Sequence, residues 1–286
     1  MRKNKTEIIR LLTDDELYKS ISEQDSLLAS LTRTQLERYK HRNSHYSLSN
    51  EQTTLEYFGA EHVFDPKNPQ FSSIERAFNA YLFGKDLTNV SVLVEGSVPA
   101  TTNNIEQDIR FTGERGFITH LARDKGVEVK CIEPDRVAEA VFLLEQFQPY
   151  EIEYYYYLRA IRDYFRLGRI QDETSFEDYS RQLLKKHKQL YGGLEEFSNF
   201  DFSLENIIKI HKDIIGSEFD PNARLDINPR NTNTVINYIS KASSNFRDFF
   251  HVRAIEGLLN EGYILFIVNG YEHAIVQRPA LETMFS

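Results

Sequence analysis

Apolar residues recur every three or four positions from Thr6 to about Tyr39, at Ile8, Leu11, Leu12, Leu17, Ile21, Leu27, Leu28, Leu31 and Leu36. That spacing lines one face of a helix, so it predicts an N-terminal amphipathic helical hairpin packed on the main body. A polar stretch from His41 to Gln52, with Asn43, Ser44, Ser47, Ser49 and Asn50 clustered, breaks the period. It separates an N-terminal helical segment, 1–45, from the domain that follows, 46–286.

Beyond the break, short apolar runs rich in β-branched and aromatic residues alternate with longer amphipathic segments, the pattern of β-α-β units. Four runs read as strands, 54–58, 90–94, 127–132 and 263–268, and helical stretches over 72–83 and 113–125 separate the first three. Between the third and fourth strands, 134–262 reads as an almost entirely helical insert expected to cap the sheet. Its helices are expected over 135–147, 151–167, 174–190 and 204–215, with two more starting at Thr232 and Asn245. The expected fold is α/β: a mostly parallel central sheet flanked by helices, with the insert placed before the last core strand.

Composition narrows this picture. Of the 286 residues 41% are hydrophobic and 27% charged, enough apolar mass for a packed core. Tryptophan is absent, so 16 Tyr and 20 Phe supply the large rings of that core. The net charge of -9 argues against nucleic acid as a partner. A lone cysteine, Cys131, forms neither an internal disulfide nor a thiolate zinc site. No window approaches the roughly 18 apolar residues of a membrane span, and no signal-like run opens the chain, so a cytoplasmic location is expected.

The candidate chemistry lies just after the four strands. The first runs into Gly59-Ala60-Glu61-His62, the second into Glu95-Gly96-Ser97, the third into Glu133-Pro134-Asp135 and the fourth into Gly270-Tyr271-Glu272-His273. In an open parallel sheet the ligand crevice lies beyond the carboxyl ends of the strands, so these loops are expected on one side of the molecule. Glu95 ends a run expected to be buried on both faces, where a carboxylate needs a cation or metal to satisfy it, unless it caps the following helix. Glu133, before a proline, serves equally as a turn residue or a functional carboxylate. Glu114, in Gly113-Glu114-Arg115-Gly116, sits in a helix's first turn, where an acid is favourable without any function.

Two histidines with one or two carboxylates on separate strand ends suit Mn²⁺, Fe²⁺, Co²⁺ or Zn²⁺. Such a metal would lower the pKa of bound water while a remaining glutamate takes its proton. Without a metal, the same groups suit a histidine general base oriented by a carboxylate and directed at water. The residues alone leave both open.

The order Gly-x-x-His, a strand ending in Glu-Gly, Gly-Glu-x-Gly, Glu-Pro-Asp and a second Gly-x-x-His resembles the superfamily of Tiki proteases, TraB and PrgY proteins, erythromycin esterases and ChaN-like haem-binding proteins, over about residues 54–281. The resemblance implies that His62 and His273 are paired active-site histidines, with Glu95 and Glu114 the glutamates between them. Glu114 or Glu133 would act as general base or orient a neighbour. Arg247 is similar to a basic residue in the helix before the family's last strand; as a surface residue it would instead pair with Asp248 or Glu256. Tiki-like members use manganese or cobalt, whereas the esterases activate water with a histidine alone. A divalent metal (Mn, Co or Zn) would fall to His62, Glu95 and His273. Unlike the esterases, which carry an acid at the start of their first histidine motif, this chain has its acid, Glu61, directly before His62.

The implied activity is hydrolysis of a peptide, amide or ester bond in a small-molecule or peptide substrate. The alternative is a non-catalytic regulatory protein that binds a ligand, a peptide or haem on the same fold. Oligomeric state is left open. The other histidines, His41, His45, His120, His187, His211 and His251, lie in polar or helical segments and read as structural or surface residues. The run Tyr154 to Tyr157 reads chiefly as core. Gly-x-Ser-x-Gly, P-loop, Gly-x-Gly-x-x-Gly and His-Glu-x-x-His motifs are all absent, which removes the main support for serine hydrolases, P-loop enzymes, dinucleotide dehydrogenases and single-helix zinc peptidases.

Overall fold

A computed structural model describes residues 44–166, 175–221, 225–229, 231 and 233–285. The hairpin expected over Thr6 to Tyr39 lies outside them. The described residues fall into two compact units, one within Met1–Pro134 and Arg247–Ser286 and the other spanning Asp135–Phe246.

The first unit holds a five-stranded, mostly parallel sheet. Its strands are β1 (His45–Ser49), β2 (Thr54–Ala60), β3 (Val90–Val94), β4 (Glu128–Cys131) and β5 (Ile264–Gly270), in the order β1-β2-β5-β3-β4. Strand β5 lies between β2 and β3 and is parallel to both, with Leu265 opposite Leu55 and Val268 opposite Val94. Every residue of β3, and every residue of β5 after the first, is buried, as a parallel strand covered on both faces requires.

Side chains alternate across the sheet, so it divides its apolar residues between two cores. Leu55, Tyr57, Leu93, Leu265 and Ile267 pack with Phe250, Ile255 and Leu281 on one face. Phe58, Val92, Val94, Phe266 and Val268 pack on the other with Phe71, Ile74, Phe78, Phe117 and Ile118. Those last residues come from two helices, α1 (Pro69–Leu82) and α2 (Ile105–Asp124). Helix α1 starts on Pro69 with Asn68 accepting the Gln70 N–H, a combination that satisfies an otherwise orphaned amide and presets the first turn.

Several elements differ from the sequence expectation, each for a local reason. Strand β1 was hidden in the polar stretch because it is an edge strand, antiparallel to β2, whose one buried side chain is Tyr46. Helix α2 begins eight residues earlier than expected at Ile105 and bends at Gly113, whose φ of 64° and ψ of -139° are non-helical. A Cβ there would lie 2.9 Å from the Val63 carbonyl oxygen, so both the torsion and the close approach call for glycine. The helices expected from Thr232 and Asn245 are one continuous helix, Val235–Asn260.

In the second unit, α3 (Arg136–Leu144), α4 (Pro149–Arg166), α5 (Phe176–Tyr191) and α6 (Leu204–Ile215) precede α7 (Val235–Asn260), whose residues from Arg247 onward group with the sheet. Tyr154, Tyr155, Tyr156 and Tyr157 are all buried in this helical core. Two polar pairs lie inside it: His187 Nδ1 is 2.7 Å from Glu153 and the Tyr154 hydroxyl 2.6 Å from His211. The last described element is α8 (Tyr271–Met284). Among the described residues no helix is long and apolar enough to cross a membrane.

Candidate active site

The parallel strands β2, β5, β3 and β4 point their carboxyl ends the same way, and the residues leaving those ends converge. Glu95, just past β3, is the hub. Its Oε2 lies 3.8 Å from Nε2 of His62, which follows β2, and its Oε1 lies 3.8 Å from Nε2 of His273. His273 stands in the first turn of α8 and not in a loop as the sequence suggested, because β5 passes into that helix directly at Gly270.

Each imidazole is held from behind by a second carboxylate. Nδ1 of His62 donates to Oε1 of Glu114 at 2.6 Å, and Nδ1 of His273 donates to Oδ1 of Asp248 at 2.5 Å. Glu114 is buried and directly follows Gly113, where α2 bends. This burial goes beyond the first-turn role that its position alone explains. Holding Nδ1 as the donor turns each Nε2 toward Glu95.

Arg247 neutralises the cluster's acids. Its guanidinium donates through Nη2 to Oε1 of Glu95 at 2.7 Å, and through Nη2 and Nε to Glu133 at 2.7 and 2.8 Å. It is therefore a partly buried bridge between the ends of β3 and β4, and Glu256, the surface partner considered above, pairs with Arg253. Burial alone would raise the Glu95 carboxyl, but His273 and then Arg247 hold it well below the usual carboxylate range. Burial likewise opposes ionisation of Glu133, and Arg247 followed by His251 overcomes it, so Glu133 is also held low. For His273, burial disfavours the cation, yet Asp248 and then Glu95 raise its pKa above the ordinary histidine value.

Sequence reasoning missed Asp248, His251, Asn269 and Gln277. His251 is fully buried and its Nε2 donates to Oε1 of Glu133 at 3.2 Å. Its Nδ1 receives the amide groups of Asn269 at 3.2 Å and Gln277 at 3.1 Å. The available signal was periodicity: Arg247 and His251, like His273 and Gln277, are four apart and so share one helix face, in segments otherwise dense in apolar residues. Of the remaining histidines, His120 pairs with Asp108, His187 with Glu153 and His211 with Tyr154. His45 contacts Glu56, and His41 lies outside the described residues.

Asp248, His251 and His273 can each bring one ligand atom within 4.8 Å of the others, so this trio has the proximity a metal requires. Its inward atoms are already engaged, however. Oδ1 of Asp248 accepts from both His273 and Gln277, and Nδ1 of His251 accepts from two amides. Comparison of the chain with protein-family models, with curated proteins and with solved structures finds no match.

Proposed function

We propose that the protein is a hydrolase that directs water at an ester, amide or peptide carbonyl between His62 and His273. The observation that carries this reading is the pair of 3.8 Å approaches of both Nε2 atoms to one carboxylate, Glu95, with a different carboxylate behind each ring. His62, 40% exposed at its side chain against 10% for His273, is the one that meets solvent and takes the proton from water. The hydroxide oxygen forms the bond to the carbonyl carbon. His273 holds its proton more tightly than an ordinary histidine because Asp248 and Glu95 outweigh its burial, and it delivers that proton to the departing oxygen or nitrogen as the scissile bond breaks. Arg247 keeps Glu95 ionised and in place.

A metal-assisted version is the second reading. Metal-ligating histidines characteristically donate their other ring nitrogen to a carboxylate, as both histidines do here. Manganese, cobalt or zinc would be held by His62, Glu95 and His273 and would supply a more acidic water. Against it, Glu95 already accepts from Arg247 at one oxygen and from the Gly270 N–H at the other.

Chromogenic esters, anilides and a peptide library, assayed with chelator and then with added Mn²⁺, Co²⁺ or Zn²⁺, test the proposal. Turnover that survives chelation and is abolished by His62→Ala, His273→Ala and Glu95→Gln supports the metal-free reading. Turnover that requires metal supports the second. Saturable binding without turnover overturns both and leaves a binding protein.

A further inference from the structure

Behind His273 runs a chain of polar contacts of which the steps above use only the Arg247–Glu95 end. The Tyr57 hydroxyl, on β2, donates to Oε1 of Gln277 at 2.9 Å. Nε2 of Gln277 then reaches two acceptors, Oδ1 of Asp248 at 2.9 Å and Nδ1 of His251 at 3.1 Å. The chain continues through Nε2 of His251 to Glu133, from Glu133 to Arg247 and from Arg247 to Glu95. Gln277 therefore ties the carboxylate behind His273 to the ion pair that holds Glu95.

The orientations in this chain are determined by its ends. The Gly270 N–H donates to Oδ1 of Asn269 at 2.8 Å, so the NH₂ of Asn269 faces His251. An ionised Asp248 accepts only, so the NH₂ of Gln277 must face it and the carbonyl must face Tyr57. Both amides thus present hydrogens to Nδ1 of His251. That atom is an acceptor, and the ring's proton sits on Nε2, aimed at Glu133. Gln277 is fully buried, as are Tyr57 and His251, and in such surroundings an unmatched polar group is costly. A single arrangement of protons follows.

We infer that Gln277, itself oriented by Tyr57, is a positioning residue that holds Asp248 as an acceptor for His273 Nδ1–H and holds His251 in its Nε2–H tautomer. This rests on the hydrolase reading only for its kinetic consequence; the proton arrangement stands without it. Groups that face the two histidines are Arg247 on α7, Glu95 beyond β3, Glu133 beyond β4 and His62 beyond β2, all retained in the variants below.

The test is ¹⁵N NMR of the histidine rings across pH in the full-length protein, with Gln277→Met, which keeps length and burial but removes the amide, and Tyr57→Phe, which removes only the hydroxyl. The wild type is expected to give His251 ring shifts of the Nε2–H form. In Gln277→Met that tautomer preference is weakened, with only Asn269 and Glu133 left to hold it, and the His273 titration moves; Tyr57→Phe moves both in the same direction by less. If the wild-type enzyme turns over, kcat in Gln277→Met falls about 10- to 100-fold with KM little changed, and its pH profile shifts with His273. Unchanged His251 tautomer and His273 titration in folded Gln277→Met overturn the inference. Should that variant not fold, unchanged signals in Tyr57→Phe overturn it. Altered ring signals with no turnover of any substrate by the wild type would keep the inference and remove the hydrolase reading.

Discussion

The backbone N–H of Gly270 donates to Oε2 of Glu95 at 3.0 Å, and the space where a side chain would stand on Gly270 is the space in which the site's groups meet. A Cβ there would lie 3.1 Å from Oε2 of Glu95 and 3.4 Å from both His273 Cδ2 and His62 Nε2. The φ of -53° suits any residue, so alanine adds crowding without backbone strain. Gly270→Ala is expected to fold with stability changed by about 1 kcal/mol yet, on the hydrolase reading, to lose about 10²-fold in kcat/KM, since small misplacements of reacting groups carry costs of that order. A thermal melt alongside a kinetic assay separates the two effects.

Asp248 governs the tautomer of His273. Asp248→Asn keeps the shape but presents an amide that can no longer act solely as an acceptor, and on the hydrolase reading activity is expected to fall by about 10³- to 10⁴-fold, the cost of losing an orienting carboxylate in histidine-base enzymes. Steady-state kinetics on a protein whose circular dichroism is unchanged would check this. Retention of more than a tenth of the activity would mean that His62 works without its partner histidine.

Arg247 sits between two partly buried carboxylates, with its side chain 11% exposed and those of Glu95 and Glu133 20% and 18%. Removing the cation strands both. Arg247→Met is expected to cost about 3–5 kcal/mol in urea-induced unfolding, and adding Glu133→Gln to recover part of it. Arg247→Lys should fall between, because a single ammonium cannot replace the fork that spans both acids.

Stability should follow pH from both sides. Glu95 and Glu133 have folded pKa values below their ordinary 4.5, so their contribution is present above that value and lost as pH falls through the folded values. His273 has its pKa raised above 6.5, so its contribution is complete below 6.5 and lost as pH rises through the folded value. The melting temperature is expected to peak between about pH 4.5 and 6.5. In Asp248→Asn the alkaline decline should flatten, because Asp248 is the main group raising His273.

The parts of this arrangement that were legible in the sequence are those with a strong local pattern. Strands β2, β3, β4 and β5 stand out as short apolar runs, and the turn residues after them mark His62, Glu95, Glu133 and His273 directly. Asp248 and His251 were not legible because their meaning depends on partners from other elements: read along the chain, Asp248 looks like a neighbour for Arg247, whereas in space it serves His273. Gln277 is an unremarkable polar residue until its distance to Tyr57 is known. Strand β1 escaped for a different reason, since an edge strand needs few apolar side chains and its pairing with β2 is carried by the backbone.

The position of β5 has a consequence for how the molecule is made. The strand that separates β2 from β3 is encoded near the end of the described chain, so on a ribosome the two flanking strands emerge with no partner between them, their inner edges bare. Pairing Leu55 with Leu265 closes a very long loop, a slow event by its topology. Synthesis halted before β5 would leave the inner edges of β2 and β3 without the strand that joins them.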